Sequence, residues 1–329
     1  MTATPVPSPA EAALPRIRFL RINRHRRLAW IGSLLACGLS VLGLVLCWQN
    51  PAIRSPLKPG LDFTGGTQIQ VERACGAGCG DLRVSQVQQS LAGIALEPEV
   101  GQQAPKLDTA AVQILDGGRS LLLRLPTLSA EQSSSLLRAL APVTGPLQQG
   151  GISVNTIGPT LGAQLLRGSI VSLLVSFAAI AAYITFSYNG IFAFLALLCL
   201  AHDVLITCGL FAWLGLLQGV EVDSLFAVSL ITVAGYSVTD TVVVYDRIRE
   251  QKKALGSLPL VDQVDVAVDA TLTRSLYTSL TTLLPLFGLA LFGGSSLHWF
   301  AIALIVGIGV GSWSSIGVAP TLLPVLSRR

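Results

Sequence analysis

Charge is what this sequence has least of. Of its 329 residues, 22 are Lys or Arg and 18 are Asp or Glu, together 12%, about half the share that a soluble globular domain carries. The shortage is also uneven. No Lys or Arg occurs from Gly168 to Asp246, and no charged residue of either sign from Ser275 to Ser327. A stretch that long, rich in Leu, Ile and Val, cannot form a water-facing surface. A soluble enzyme, a disordered chain and a nucleic-acid binder are therefore excluded, although the net charge is +4. Cysteine is sparse too: six in a chain of this length are not a disulfide framework. Cys37, Cys47, Cys199 and Cys208 lie in apolar stretches, where the thiol behaves as a small hydrophobe. The first 27 residues are Pro-rich and then Arg-rich, and the apolar run after them is long enough to stay in a bilayer, unlike a cleaved signal. What is present is half hydrophobic, with a mean hydropathy of +0.65. The chain reads as a polytopic α-helical membrane protein.

A bilayer core needs about 20 apolar residues in a helix. Six runs qualify: Leu28–Trp48, Ser169–Tyr188, Ile191–Leu217, Leu225–Tyr245, Arg274–Phe292 and Trp299–Leu326. Asn189 and Gly190 alone separate the second from the third, which suits a tight helical hairpin. Positive charge orients the set. With the N-terminus inside, residues 1–27, the turn at 188–190, the loop 246–273 with Arg274, and the tail 327–329 hold 13 Lys and Arg, and the short outer loops Gln218–Ser224 and Gly293–His298 hold none. Both termini are expected in the cytoplasm. The other nine lie in residues 49–168, a segment long enough to be an outer domain.

That segment reads as an α+β domain. Thr67–Glu72 alternates like a half-buried strand, and Leu82–Leu91 repeats Val84, Val87 and Leu91 at helical spacing. Ala110–Leu115 and Ser120–Leu125 flank Asp116-Gly117-Gly118, a hairpin signal. Ser129–Leu140 opens with Ser129 and Gln132 in capping-box positions, and Ile152–Ile157 alternates again. The order β-α-β-β-α-β is that of a ferredoxin-like sandwich, with Ala95–Thr109 as an inserted loop. It holds no catalytic triad and no nucleotide loop.

The few charges inside the spans are the candidates for chemistry. Asp240 lies five residues before the cytoplasmic end of the fourth span, roughly 8 Å deep at ~1.5 Å per residue. A carboxylate at such a depth costs on the order of 3 kcal/mol and marks an ion or proton path by default. The plainer alternative is a protonated Asp hydrogen-bonded to Thr239, Thr241 or a neighbouring helix. Asp203 sits near the middle of the third span, directly after His202. The pair could relay protons, because imidazole titrates near neutrality. Adjacent residues are 100° apart on a helix, however, and polar glue between helices is the competing reading. Zinc ligation is disfavoured, since helical ligand pairs need i, i+3 or i, i+4 spacing; no metal site is expected. Arg274 opens the fifth span after the amphipathic run Val261–Leu272. Always charged, it could pair with Asp240 and hold that carboxylate ionised, or it could snorkel at the interface. Asp246 and Arg249 are placed for an i, i+3 pair. Gly307 and Gly311 form a small-residue face for close helix packing, and His298 is expected as a solvated loop residue. Cys75 and Cys79, separated by Gly76-Ala77-Gly78, suit a local disulfide in an oxidising compartment, a two-ligand metal site being the weaker alternative.

Several longer motifs carry a resemblance. Gly60-Leu61-Asp62-Phe63-Thr64-Gly65-Gly66-Thr67 is similar to the GxDFxGG signature of the SecD/SecF family, within the RND superfamily. Ile157-Gly158-Pro159-Thr160-Leu161-Gly162, Ala201-His202-Asp203-Val204 and the run from Gly235 to Glu250 match the SecF branch of that family too. Arg274 with Thr278 and Ser279, Leu291 to Gly294, and Gly311 to Ser315 extend the match, which covers about residues 28 to 326. The resemblance implies an accessory subunit of the Sec translocase in the bacterial cytoplasmic (inner) membrane. It would use the proton-motive force to help draw preproteins across, with SecD and the SecYEG channel as partners and no cofactor beyond the coupling proton. It implies that Asp240 and Arg274 form the proton-coupling pair, with Asp203 as a further member. Thr239 stands where relatives often have Asn, so the hydrogen-bond partner of Asp240 is expected to differ.

The Gly residues have a physical reading of their own. Gly65 and Gly66 permit backbone angles closed to other residues, where the first span meets the first strand, and Gly158-Pro159 marks the return. With Asp62 they read as structural joints on which the outer domain could move. Two other classes compete with the translocase subunit: an RND-type exporter of a small molecule or lipid, and a non-transporting scaffold. The outer domain is small for an exporter's porter region. No Ser–His or paired-Asp arrangement supports an intramembrane protease.

Overall fold

A computed structural model describes residues 21–75, 82–98 and 104–327. The chain runs through α1 (Arg26–Gln49), a helical turn α2 (Leu61–Thr64), β1 (Gly66–Arg73), α3 (Val84–Gly93), β2 (Ala111–Leu115), β3 (Ser120–Leu125), α4 (Ala130–Thr144) and β4 (Leu147–Ile157). It continues with α5 (Pro159–Ser187), α6 (Gly190–Gln218), α7 (Ser224–Ala254), α8 (Leu260–Phe292), α9 (Gly294–Trp313), a π turn (Ser314–Val318) and α10 (Ala319–Leu326). Two compact units result, one of residues 59–170 and one of the rest.

In the smaller unit the strands form one antiparallel sheet in the order β2-β3-β1-β4. This is the ferredoxin-like arrangement expected from the β-α-β-β-α-β pattern. Ile69 and Val71 of β1 pair with Leu123 and Leu121 of β3, and all four are buried with Leu91 of α3 and Leu136 and Leu140 of α4. The period-2 and period-3.6 patterns thus converge on one core. Ser129 caps α4 as its spacing with Gln132 suggests: Gln132 N donates to Ser129 Oγ (3.2 Å) and Ser129 N to Gln132 Oε1 (3.1 Å). Ser129→Ala is expected to destabilise the first turn of α4 by about 1 kcal/mol, read as faster amide hydrogen exchange there and nowhere else in the sheet. The hairpin turns through Gly117 at φ 62°.

The two Gly-containing joints pack together within this unit. Gly65 has φ +69°, and a Cβ there would lie 3.1 Å from Pro159 Cα; one at Gly162 would lie 3.0 Å from Gly65 N. Gly66, at φ +119°, approaches Leu125 O so closely that a Cβ would stand 2.6 Å from it. Gly66→Ala therefore meets both backbone strain and a clash with a carbonyl, on the order of 3 kcal/mol. Loss of exchange protection across the β1–β3 pairing is the expected readout. Gly158 has open space around it and no such requirement. Asp62 lies in the turn α2, between the two Gly positions of its motif. Cys75 is disulfide-bonded; Cys79, its expected partner, lies outside the described residues.

The larger unit is helical, and with α5 it supplies six helices long and apolar enough to cross a membrane. The sequence expectation of six spans holds, with corrected ends. α5 begins ten residues before the apolar run, at Pro159, a favoured first helical residue because its missing N–H has no partner to lose there. α8 begins at Leu260, so the amphipathic run 261–272 is continuous with the span rather than a loop before it. Arg274 accordingly stands well inside a helix, not at its opening. His298 lies in α9, where Nδ1 contacts Ala290 O (2.7 Å) and the ring meets Trp299 edge-on. It is not a solvated loop residue, because α9 starts directly after Gly293.

Leucines along one side of α1 stay exposed (Leu34 at 71%), the signature of a lipid-facing surface. The interior gathers around Tyr245, Ile248, Val264 and Val268, with Leu195 and Cys199 of α6. At this end Tyr188, in the turn between α5 and α6, donates to Asp246 Oδ1 (3.2 Å) and lies beneath the Arg249 guanidinium. Burial and then the Asp246 charge push its phenol up to about 12. Asp246 and Arg249 form the expected i, i+3 pair at 3.6 Å.

Candidate functional site

Pro320 disposes the chain after α9 to a local distortion. Pro320 lacks an N–H, and in a regular helix its ring would press on the carbonyl four residues back, at Ile316. The helix instead widens over Ser314–Val318 before continuing as α10. Single π turns of this kind recur at functional sites. Here the widened turn is fully buried and presents two successive hydroxyls, Ser314 and Ser315, to two different carboxylates.

Asp203 of α6 is completely buried. Its Oδ2 accepts from Ser237 Oγ of α7 (2.5 Å) and from Ser314 Oγ (2.8 Å), and its Oδ1 lies 2.7 Å from His202 Nδ1. Adjacent helical residues do meet, because each side chain leans toward the other around the helix surface. The same His202 has its Nε2 buried without a hydrogen-bond partner among the described residues. Asp240 of α7 is buried as well. Its Oδ1 accepts from Ser275 Oγ of α8 (2.8 Å) and its Oδ2 from Ser315 Oγ. Four hydroxyls, from α7, α8 and the π turn, thus satisfy two carboxylates that would be costly to bury unpartnered.

Glycines make the approach close enough. A Cβ on Gly307 of α9 would overlap Val233 of α7, and one on Gly311 would stand 3.2 Å from Ser237 Cβ and 3.5 Å from Asp203 Oδ2. The small-residue face read from Gly307 and Gly311 is the α7–α9 seam.

The expected threonine partners are corrected. Thr239 Oγ1 bonds to Gly235 O of its own helix (2.8 Å), and Thr241 Oγ1 is buried without a partner among the described residues. Neither serves Asp240, because helix geometry turns them away from the serine-bearing faces of α8 and the π turn. Arg274 is exposed and forms no ion pair with Asp240. Both nonetheless line one cavity of about 310 Å³ on the face of α7 and α8, with Tyr236, Thr239, Val243 and Thr278. Asp240 is thus held by serines on one side and open on the other to a space that Arg274 also lines.

The serines are what sequence reading missed. Ser237 precedes Asp240 by three residues and Ser275 follows Arg274, so hydroxyls at helical spacing beside each intramembrane charge were the available signal. No group of three or more His, Cys, Asp or Glu placed to hold a metal ion occurs among the described residues.

Residues 141–329 match the family model of protein export membrane protein SecD/SecF, C-terminal, and residues 54–77 match the SecD/SecF GG motif. The chain is 50% identical to protein translocase subunit SecF of Prochlorococcus marinus over 92% of its own length and 94% of the relative's. It is 40% identical to the SecF subunit of Synechocystis over 92% of its length and 93% of the relative's. Against protein translocase subunit SecDF of Thermus thermophilus it is 37% identical over 82% of its length, but this spans 34% of that longer protein. The crystal structure of that translocon-associated membrane protein superposes with a TM-score of 0.76 at 30% identity, covering 96% of this chain and 40% of the other.

Proposed function

This chain belongs to the SecD/SecF family of protein-export membrane proteins, as a SecF-type translocase subunit, and from that membership we propose that it uses the proton-motive force to promote preprotein export. The observation that carries the reading is Asp240: a buried carboxylate, held by two serine hydroxyls, facing a cavity that Arg274 also lines. In the ionised state the carboxylate takes the hydrogens of Ser275 and Ser315. A proton entering the cavity neutralises it, and the carboxyl then has a hydrogen of its own to give. Arg274, which remains cationic, can swing to the ionised carboxylate and must leave the protonated one. Loading and release of the proton thereby move α8 against α7.

The cavity opens on a face where Thr278 and Thr281 of α8 are exposed and Thr282 is half-buried. Polar groups at this depth favour a protein neighbour over lipid. The neighbour we propose is a SecD-type subunit, consistent with the single-chain SecDF relative. The channel SecYEG and the preprotein are its further partners, the membrane is the bacterial cytoplasmic membrane, and both termini face the cytoplasm, as the lysine and arginine distribution supports. The exporter alternative is set aside because the relatives are translocase subunits.

Inverted vesicles carrying the chain, a SecD-type partner and the channel test this. Preprotein uptake should rise when a proton gradient is imposed and fall to the ATP-driven level when an uncoupler removes it. Uptake that ignores the gradient contradicts the reading.

A further inference from the structure

Asp203 lies outside the cavity that holds Asp240 and Arg274, yet it is fully buried and satisfied by groups from three elements. The two carboxylates accept from consecutive residues, Ser314 for Asp203 and Ser315 for Asp240.

We propose that the Ser314–Ser315 π turn is a hydrogen-bond coupler that links the protonation state of Asp240 to that of Asp203, and that Asp203 with His202 is a second proton-accepting site. This rests on the proton-coupling reading of Asp240.

Each serine has one hydrogen and two acceptors in reach. Ser315 Oγ stands against Asp240 Oδ2 and 3.0 Å from Ser312 O; Ser314 Oγ stands 2.8 Å from Asp203 Oδ2 and 3.1 Å from Gly311 O. While a carboxylate is ionised it takes the serine hydrogen, since a charged acceptor outcompetes a carbonyl. When a proton arrives on Asp240 Oδ2, that carboxyl becomes the donor to Ser315 Oγ, and the serine hydrogen turns to Ser312 O. No bond to carbon changes, and the one added proton is accounted for on Asp240. Ser314 is the adjacent residue of the same turn, with the same choice between a carboxylate and a backbone carbonyl, so a shift of the turn at Ser315 also moves Ser314. In the coupling we propose, the π turn is the element that shifts. The Ser314 hydroxyl then moves relative to Asp203 Oδ2, which alters how readily Asp203 holds a proton.

His202 completes the second site. Its Nδ1 contacts Asp203 Oδ1, and its buried Nε2 has no partner among the described residues, so a proton donated there has a place to stay. Among the described residues, Cys37 of α1 and Cys199 of α6 lie within electrostatic reach of Asp203. Asp240 has Arg274 and Tyr236 around its cavity.

The test is infrared difference spectroscopy, between acid and alkaline buffer, on the full chain reconstituted with a SecD-type partner. The carboxyl band of Asp203 is identified by its disappearance in Asp203→Asn. It should shift in Asp240→Asn. That shift should vanish when Ser314→Ala and Ser315→Ala are present, and each single variant should abolish it as well, so failure of the double variant to fold does not shelter the idea. An equal shift in the serine variants overturns the coupler, because direct electrostatic influence then suffices. An Asp203 band that never responds to pH overturns the second site. Export assays on Asp240→Asn judge the underlying proton-coupling reading separately: the coupler can fail while gradient-driven uptake persists, and gradient dependence can fail whatever the band does.

Discussion

Asp240→Asn is expected to reduce the gradient-driven part of preprotein uptake about tenfold, while the ATP-driven part persists. The substitution keeps the shape of the side chain and two polar atoms: Ser275 still donates to the amide oxygen, while Ser315 accepts from the amide N–H and turns its own hydrogen to Ser312 O, so the buried site does not collapse. What it deletes is the capacity to gain and lose a proton. A coupling device that works by that exchange then has no input. Ser275→Ala provides the graded comparison. It takes away one of the two hydroxyls on the carboxylate, a hydrogen bond to a charged group worth about 1.5–3 kcal/mol, and gradient-driven uptake should fall in part and not wholly. A simple structural role for Asp240 predicts instead that both variants lose expression and ATP-driven uptake together.

Gly307→Leu should separate α7 from α9. The seam has no room for a Cβ at that position, since Val233 already occupies it. Overpacking of this kind costs typically 1–3 kcal/mol, and a leucine facing a β-branched side chain across a helix pair belongs at the upper end, about 3 kcal/mol. The consequence is functional as well as structural. α7 carries Ser237 and Asp240, and α9 leads into Ser314 and Ser315, so both carboxylates lose a hydroxyl together. Thermal inactivation of the purified protein should move to lower temperature, with accelerated amide exchange along α7. Gly309→Ala is the control: a Cβ there meets nothing within 4 Å, and alanine is the better helix former, so stability is retained.

How much was legible in the sequence depended on how local the cause was. The capping of α4 by Ser129, the hairpin at Gly117 and the alternation of β1 each depend on residues within a few positions, and the sheet order followed from their sequence. The start of α8 was not legible. Its first turns are amphipathic and carry Asp262, Asp265 and Asp269, so hydropathy placed them in a loop, whereas Asp265 is buried and accepts from Asn23 N (3.0 Å) and Asn23 Nδ2 (2.8 Å), just ahead of α1. That contact joins residues 242 positions apart, which no local pattern reveals. Asp240, Asp203 and Arg274 stood out because charge is rare in a span. Their serine partners did not, because a buried serine in a membrane helix usually bonds its own carbonyl four residues back, as Ser279 also does with Ser275 O (2.8 Å). The π turn was hidden for a related reason: Pro320 announces a local distortion, but only the packing decides whether the helix kinks, stops or widens.

We propose that Asp240 takes up and releases the proton that drives export. Proton flux into vesicles containing the chain and a SecD-type partner, with a preprotein held in transit, measures this most directly. The expected result is a pH change that requires the preprotein and is absent in Asp240→Asn. Equal flux in wild-type and Asp240→Asn vesicles would contradict it.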